Sequence, residues 1–244
     1  NCMQYLFSQS EKLFQRRDWG GYLCFLATAD SVGTQSFGIT AVVRMNKLIH
    51  SPHVHDDSDE IFYVLRGHGK QLLRNEDGTD SIYDINPGDT VYLTKNRWHG
   101  TSNFSDTEQL DMLLVNYFYN GQSDANICGV IPAGSVACVQ TDFGYREQIL
   151  TSESCGTDAV HGEVLTLLPG KVLAGIADAA EGFFFVISGE AISIAPAQQL
   201  TEGTQLFLFQ NDKYHIENRS DRPVRLLYLC AGNAQKTAKE DTTS

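Results

Sequence analysis

From Tyr22 onward, apolar and polar positions follow one another in short β-branched and aromatic runs, separated by Gly, Pro, Asn and Asp. Few segments keep a helical period, so the pattern predicts an all-β chain. In the first half the predicted strands are 22–27, 38–44, 61–66, 70–74, 81–85, 90–93, 100–103 and 109–117. Asn75-Glu76-Asp77-Gly78 and Asn86-Pro87-Gly88-Asp89 supply the residues that tight hairpin turns need between consecutive strands.

The pattern occurs twice. Glu60 to Gly67, an apolar strand ending in a glycine turn, recurs as Gly182 to Gly189, and the two closing glycines are 122 residues apart, half of the 244-residue chain. A second echo links Gly88-Asp-Thr-Val-Tyr-Leu, leading to His99, with Gly203-Thr-Gln-Leu-Phe-Leu, leading to His215; the offsets are 115 at the glycine and 116 at the histidine. The shorter offset predicts a shorter hairpin in the second copy, and the repeat favours two tandem β-domains over one. The predicted organisation is an N-terminal barrel over 15–119, an irregular linker over 120–160, a second barrel over 161–233 and a loose polar tail over 234–244.

Composition narrows the function. Eighteen Lys and Arg against 30 Asp and Glu leave a formal charge of -12, which a nucleic-acid backbone repels. The uncharged stretch 126–140 is too short to span a bilayer and contains Gly129, Pro132 and Gly134, so no membrane role is expected. Cys2, Cys24, Cys128, Cys138, Cys155 and Cys230 form no CxxC pair, which favours free thiols and a cytoplasmic location. The chain begins at Asn1, so the expectation leaves room for an upstream signal peptide.

The chemistry concentrates in Ser51-Pro-His53-Val-His55-Asp-Asp-Ser-Asp-Glu60. On an extended strand, residues two apart share a face, so His53 and His55 can aim two imidazoles at one point. Glu60, at the start of the next strand, can return to that point, and His99 can complete a three-His, one-Glu set for one divalent transition metal: Fe, Mn, Ni, Zn or Cu. An octahedral ion so held keeps two positions open. A lone His-x-His is more often a satisfied surface pair, but the full ligand set at this spacing outweighs that reading. Asp56, Asp57 and Asp59 read as a solvated loop, His50, His68 and His161 as surface or turn residues, and Asn103 as a structural hydrogen-bonding residue. Phe62, Tyr63, Tyr92 and Trp98 read mostly as core or barrel rim.

These residues resemble the cupin superfamily. Its first motif has two histidines one apart, then a glutamate and a glycine, as in His53, His55, Glu60 and Gly67; its second runs from a glycine through a histidine to an asparagine, as in Gly88, His99 and Asn103. Lys47, Thr94 and Asn96 depart from the motifs without removing a ligand. The resemblance covers about residues 38 to 117 and implies two small jelly-roll barrels. In the second half the ligand positions fall on Gly175, Ala177 and Gly182, and only His215 survives, so that barrel is expected to be structural or substrate-shaping. Glu181 with His215 is a candidate remnant polar pocket if the alignment slips by one residue.

The function expected is a metal-dependent enzyme acting on a small polar organic molecule, of either the dioxygenase or the isomerase, decarboxylase and lyase type. Glu60 is the candidate catalytic proton carrier, and Arg44, Tyr92 and Lys95 are candidate substrate-binding residues by residue type. The competing classes are a metabolite-binding bicupin without turnover and a seed-storage-like structural bicupin. A homodimer is expected.

Overall fold

Every strand predicted in the first half is a strand in the computed structural model, which describes residues 14–119 and 128–231. The chain divides into two units, Asn1–Ser135 and Val136–Ser244. The first contains β1 (Gln15–Arg16), β2 (Tyr22–Ala27), the short helix α1 (Ala29–Val32), β3 (Phe37–Arg44), β4 (Ser58–Arg66), β5 (Gly69–Arg74), β6 (Asp80–Ile85), β7 (Thr90–Leu93), β8 (His99–Ser102), β9 (Leu110–Phe118) and β10 (Gly129–Ile131). They form a seven-stranded sheet in the order β1-β2-β3-β9-β4-β7-β10 and a three-stranded sheet in the order β6-β5-β8.

Strand alternation sends Val42, Phe62, Val64, Val91, Leu93, Leu110 and Met112 into one core, each at most 3% exposed. Burial of each such side chain contributes roughly 1.5–3 kcal/mol, and this apolar cluster fixes the register of β4. Glu60 shares parity with Phe62 and Val64, so it too faces the interior. Asp59, Ile61 and Tyr63 point to the opposite face of the sheet.

The second unit contains β11 (Cys138–Gln140), β12 (Gly144–Leu150), the helix α2 (Ser152–Cys155), β13 (Val160–Leu167), β14 (Val172–Ile176), β15 (Glu181–Ser188), β16 (Glu190–Ala195), β17 (Ala197–Thr201), β18 (Gln205–Phe209), β19 (Lys213–Glu217) and β20 (Val224–Ala231). Its sheets run β11-β12-β13-β20-β15-β18 and β14-β19-β16-β17. The core includes Leu165, Leu167, Phe184, Val186, Leu206, Leu208 and Leu226. No helix among the described residues is long and apolar enough to cross a membrane.

The repeat holds down to single hydrogen bonds. Thr28 and Ser31 form a reciprocal capping box closed by left-handed Gly33, and Thr151, Ser154 and Gly156 repeat it. Gly67 and Gly189 have φ of 78° and 85°, and a Cβ on either would strike a backbone carbonyl, of Gln109 or of Pro223. Asn103 donates to the carbonyls of Arg44 and Glu108 and accepts from the Ser105 amide; Asn218 donates to Leu167 and Arg222 and accepts from Ser220. Asn103 is thus a structural hydrogen-bonding residue, and Asn218 repeats its role in the second copy of the motif.

Two expectations change. The segment read as an irregular linker over 120–160 carries β10 to β12 and α2; residues 120–127 and the tail 234–244 lie outside the described residues. β10 pairs with β7 in the first unit, while β11 and β12 repeat β1 and β2 in the second. The signal is weak because β12, Gly-Tyr-Arg-Glu-Gln-Ile-Leu, is polar where β2 is apolar. The second change concerns His215. Counting back from Asn218, and in the pairing of Gly175 with Tyr214 that matches His53 with His99, Tyr214 occupies the place of His99. His215 lies one position off, on the outer face, where it contacts Glu217 at 2.9 Å. Glu181 alternates with inward Gly182 on the other sheet, so Glu181 and His215 do not form a shared interior pocket.

Candidate metal centre

The segment between β3 and β4 carries three histidines, His50, His53 and His55, outside a regular ladder, and Pro52 among them has no N–H to give one. One bridge holds it: the His53 amide donates to the His99 carbonyl and the His99 amide to the His53 carbonyl, each at 2.9 Å. The Asn96 amide adds a 2.6 Å bond to the carbonyl of His55. The loop passes so close over β8 that a Cβ at Gly100 would lie 3.1 Å from the carbonyl oxygen of His50.

The bridge brings four side chains together. One ligand atom each from His53, His55, Glu60 and His99 all lie within 4.8 Å of one another, with Glu60 and His99 buried and the other two half-buried. Backbone carbonyls orient two of the rings: Nδ1 of His53 meets Ser51 O at 3.1 Å, and Nδ1 of His99 meets Arg97 O at 2.8 Å. A donor N–H on Nδ1 leaves the Nε2 lone pair pointing into the cluster, the arrangement that metal-binding histidines use. His99 Nε2 stands 2.9 Å from Glu60 Oε2, and His55 Nε2 3.1 Å from Glu60 Oε1. Both nitrogens and Glu60 Oε2 are buried without a hydrogen-bond partner. Electron-rich atoms gathered this closely are stable around a cation, and three imidazoles with one carboxylate suit a divalent first-row metal.

Burial raises the proton affinity of Glu60, but contact with His99 and the fields of His55, His99 and His53 outweigh it and hold the carboxyl below the usual carboxylate range. His53 is lowered by burial and by its neighbours His99 and His55. Both shifts favour the metal-ready forms, ionised carboxylate and neutral imidazole.

Of the residues proposed for substrate, only Arg44 reaches this interior. It shares parity with Val42 and is 4% exposed, with its guanidinium 4.9 Å from the Trp19 ring. Its Nε and Nη1 are buried without a hydrogen-bond partner. Burial lowers its pKa to about 10 against the opposing field of Glu60. Tyr92 lies opposite Ile61 on the other face of the sheet, where its hydroxyl donates to Asp59 at 2.7 Å. Lys95 donates its amide to Asp59 and places Nζ 4.0 Å from the Tyr119 ring centre. Strand parity therefore separates Tyr92 and its Asp59 network from the metal cluster.

Asp59 is not part of a solvated loop. It is 1% exposed and accepts from Tyr92, Tyr119 and Lys95, whereas Asp56 and Asp57 are exposed. His50 is likewise not a simple surface residue: its ring lies 4.5 Å from that of His53 and 5.1 Å from Trp19. Burial, then Arg44 and His53, lowers its pKa to about 4, so it adds a neutral imidazole beside the ligand set. No ligand spacing marks His50 in the sequence. Asn116 is a further residue missed there, 3.5 Å from Glu60 Oε1 across the β4–β9 pair.

Residues 42–116 match the cupin domain family. No curated protein matches the chain. Among solved structures, the chain is similar to a Lactobacillus farciminis oxalate decarboxylase in a formate complex, with TM-score 0.75 and 12% identity, covering 90% of this chain and 83% of that one. It is also similar to the Bacillus subtilis oxalate decarboxylase studied for its Mn(II) centres, with TM-score 0.74 and 13% identity, covering 90% of this chain and 75% of that one. At this identity the likeness shows the two-barrel fold.

Proposed function

From a bicupin fold with a cupin domain and one three-histidine, one-glutamate centre in its N-terminal half, we propose a metal-dependent enzyme acting on a small organic acid. The observation that carries this reading is Arg44 beside the cluster. A buried guanidinium with unpaired donors is costly unless it meets an anion, and a carboxylate or enolate in the pocket can accept from its Nε and Nη1. A divalent ion held by His53, His55, Glu60 and His99 supplies Lewis acidity toward such an oxygen or, when redox-active, a place for dioxygen. Arg44 orients the substrate, Trp19 keeps the guanidinium in place through its ring face, and Glu60 and neutral His50 are the groups positioned to hold or pass a proton.

Elemental analysis with turnover assays tests the reading. His53→Ala and Glu60→Ala should lose nearly all bound metal, while His215→Ala retains it. Near-stoichiometric metal in the His53→Ala protein would contradict the site assignment. On a panel of small mono- and dicarboxylates, oxygen uptake with turnover marks a dioxygenase, and product without uptake marks decarboxylase, lyase or isomerase chemistry. Tight binding without turnover of any panel member would replace the enzyme reading with that of a metabolite-binding bicupin.

A further inference from the structure

The second barrel has lost all four metal ligands, yet its interior is not filled with apolar side chains. A cavity of about 510 Å³ opens there, within the range of small-molecule sites. Two phenols line it, one of them at a former ligand position. Tyr214 stands where His99 stands in the first barrel, and its ring lies over Gly175, so closely that any Cβ there would strike the phenol oxygen. A Cβ on Gly182, the counterpart of Glu60, would lie 3.4 Å from the Tyr228 Oη. Glycine at 175 makes room for Tyr214, whereas a Cβ on Gly182 would first meet Cys230 Cβ at 3.0 Å and the Leu229 carbonyl oxygen at 3.1 Å.

The polar groups have moved to other strands. His161 and Glu163 share parity with core residues Leu165 and Leu167 on β13, and Arg146 sits opposite Leu165 on β12. Glu163, 6% exposed, accepts at Oε1 from Gln148 at 3.4 Å and contacts His161 Nε2 there at 2.9 Å. Its Oε2 has only a longer approach, 3.4 Å, to Arg146 Nε. The first barrel has Thr40 at the position equivalent to Glu163, so this carboxylate is not inherited from the metal-site pattern. Phe184 packs its ring 5.2 Å from Tyr214 and 4.8 Å from Tyr228, forming an aromatic wall. Asp158 and Asp178 stand exposed among the lining residues.

We propose that this cavity is a second, metal-free binding site for a small organic molecule carrying a protonated amine on an apolar or aromatic body. Three carboxylates against one guanidinium favour a cation over an anion. Glu163 Oε2 can accept a charge-assisted hydrogen bond from the ammonium, and the wall of Phe184, Tyr214 and Tyr228 offers ring faces and apolar area to the body. Burial pushes both tyrosine pKa values upward, so the phenols stay neutral; Tyr228 is hydrogen-bonded to Cys230.

Calorimetric titration of the full chain with phenethylamine and with 3-phenylpropionate tests the charge preference on one body shape. Phenethylamine should bind, and any binding of 3-phenylpropionate should disappear in Arg44→Gln, which removes the carboxylate partner of the first barrel and leaves the second barrel unaltered. Glu163→Gln, close to isosteric, should weaken phenethylamine at least about tenfold while leaving metal content in the first barrel unchanged. The exposed Asp178→Asn should weaken it a further few-fold without affecting folding. Binding of 3-phenylpropionate that persists in Arg44→Gln, no binding of phenethylamine, or undiminished amine binding in Glu163→Gln would overturn the proposal. The two-probe comparison in Arg44→Gln, whose change lies in the first barrel, decides the charge preference even if Glu163→Gln fails to fold.

Discussion

Asp111 on β9 is 0% exposed; its Oδ1 accepts from Gln109, while Oδ2 lies 3.8 Å from Arg66 and makes no hydrogen bond. Burial raises its pKa from 3.8 to about 6, only partly offset by Arg66 and Gln109. The folded carboxyl therefore keeps its proton at pH values where the unfolded one has lost it. Its contribution to stability is full below the unfolded value and is lost as pH rises to about 6. Asp111→Asn is accordingly expected to stabilise the protein by on the order of 2 kcal/mol at pH 7.5 and to do little near pH 4, as read from thermal unfolding at both values. Equal effects at the two pH values would remove burial of the charge as the cause. At the same scale, His53, His55, Glu60 and His99 were legible in the sequence because ligand chemistry needs particular residue types at a particular spacing. Arg44 was legible only as a cation; its orphaned N–H groups, and the ring contact that makes His50 a neighbour of the site, depend on which side chains burial brings together.

Between β4 and β5, the chain turns at Gly67, where a left-handed φ of 78° coincides with a close approach of the Gln109 carbonyl. Gly67→Ala adds both backbone strain and a collision with immovable backbone, for an expected loss of roughly 1–3 kcal/mol. Gly78→Ala supplies the control: its φ is 84°, but nothing lies within 4 Å of the added Cβ. The difference between the two unfolding midpoints measures the collision separately from the strain. Strand β4 and its neighbours were readable because alternation and turn residues are local signals. Strands β10 to β12 were hidden because they are short or polar, and the pairing of β10 is supplied by β7, a partner distant in sequence. The position of His215 failed for a related reason: a one-residue difference in register moves a side chain from the interior to the outer face, and the register is carried by Asn218 and by the pairing of Gly175 with Tyr214.

The two units share one architecture, but among the described residues only the first gathers a metal-ligand set. A ligand that binds the folded state stabilises it by about 4 kcal/mol when present at a thousand times its dissociation constant. Chelation is therefore expected to increase amide hydrogen exchange in the segments holding His53, Glu60 and His99, with no loss of protection in β13, β15 or β20. Equal loss in the second unit would contradict a single metal site in the first. The repeat, the all-β class and the location of one intact ligand set follow from the sequence alone, since each rests on residue type, spacing and alternation. The tertiary structure decided what those signals cannot carry: that Tyr92 lies across the sheet from the metal cluster, that Tyr214 stands in the place of His99, and that Glu163 lines a cavity where ligands were lost. Each of these depends on strand register and on contacts between residues far apart in the chain, which exist only once the sheets have closed around their cores.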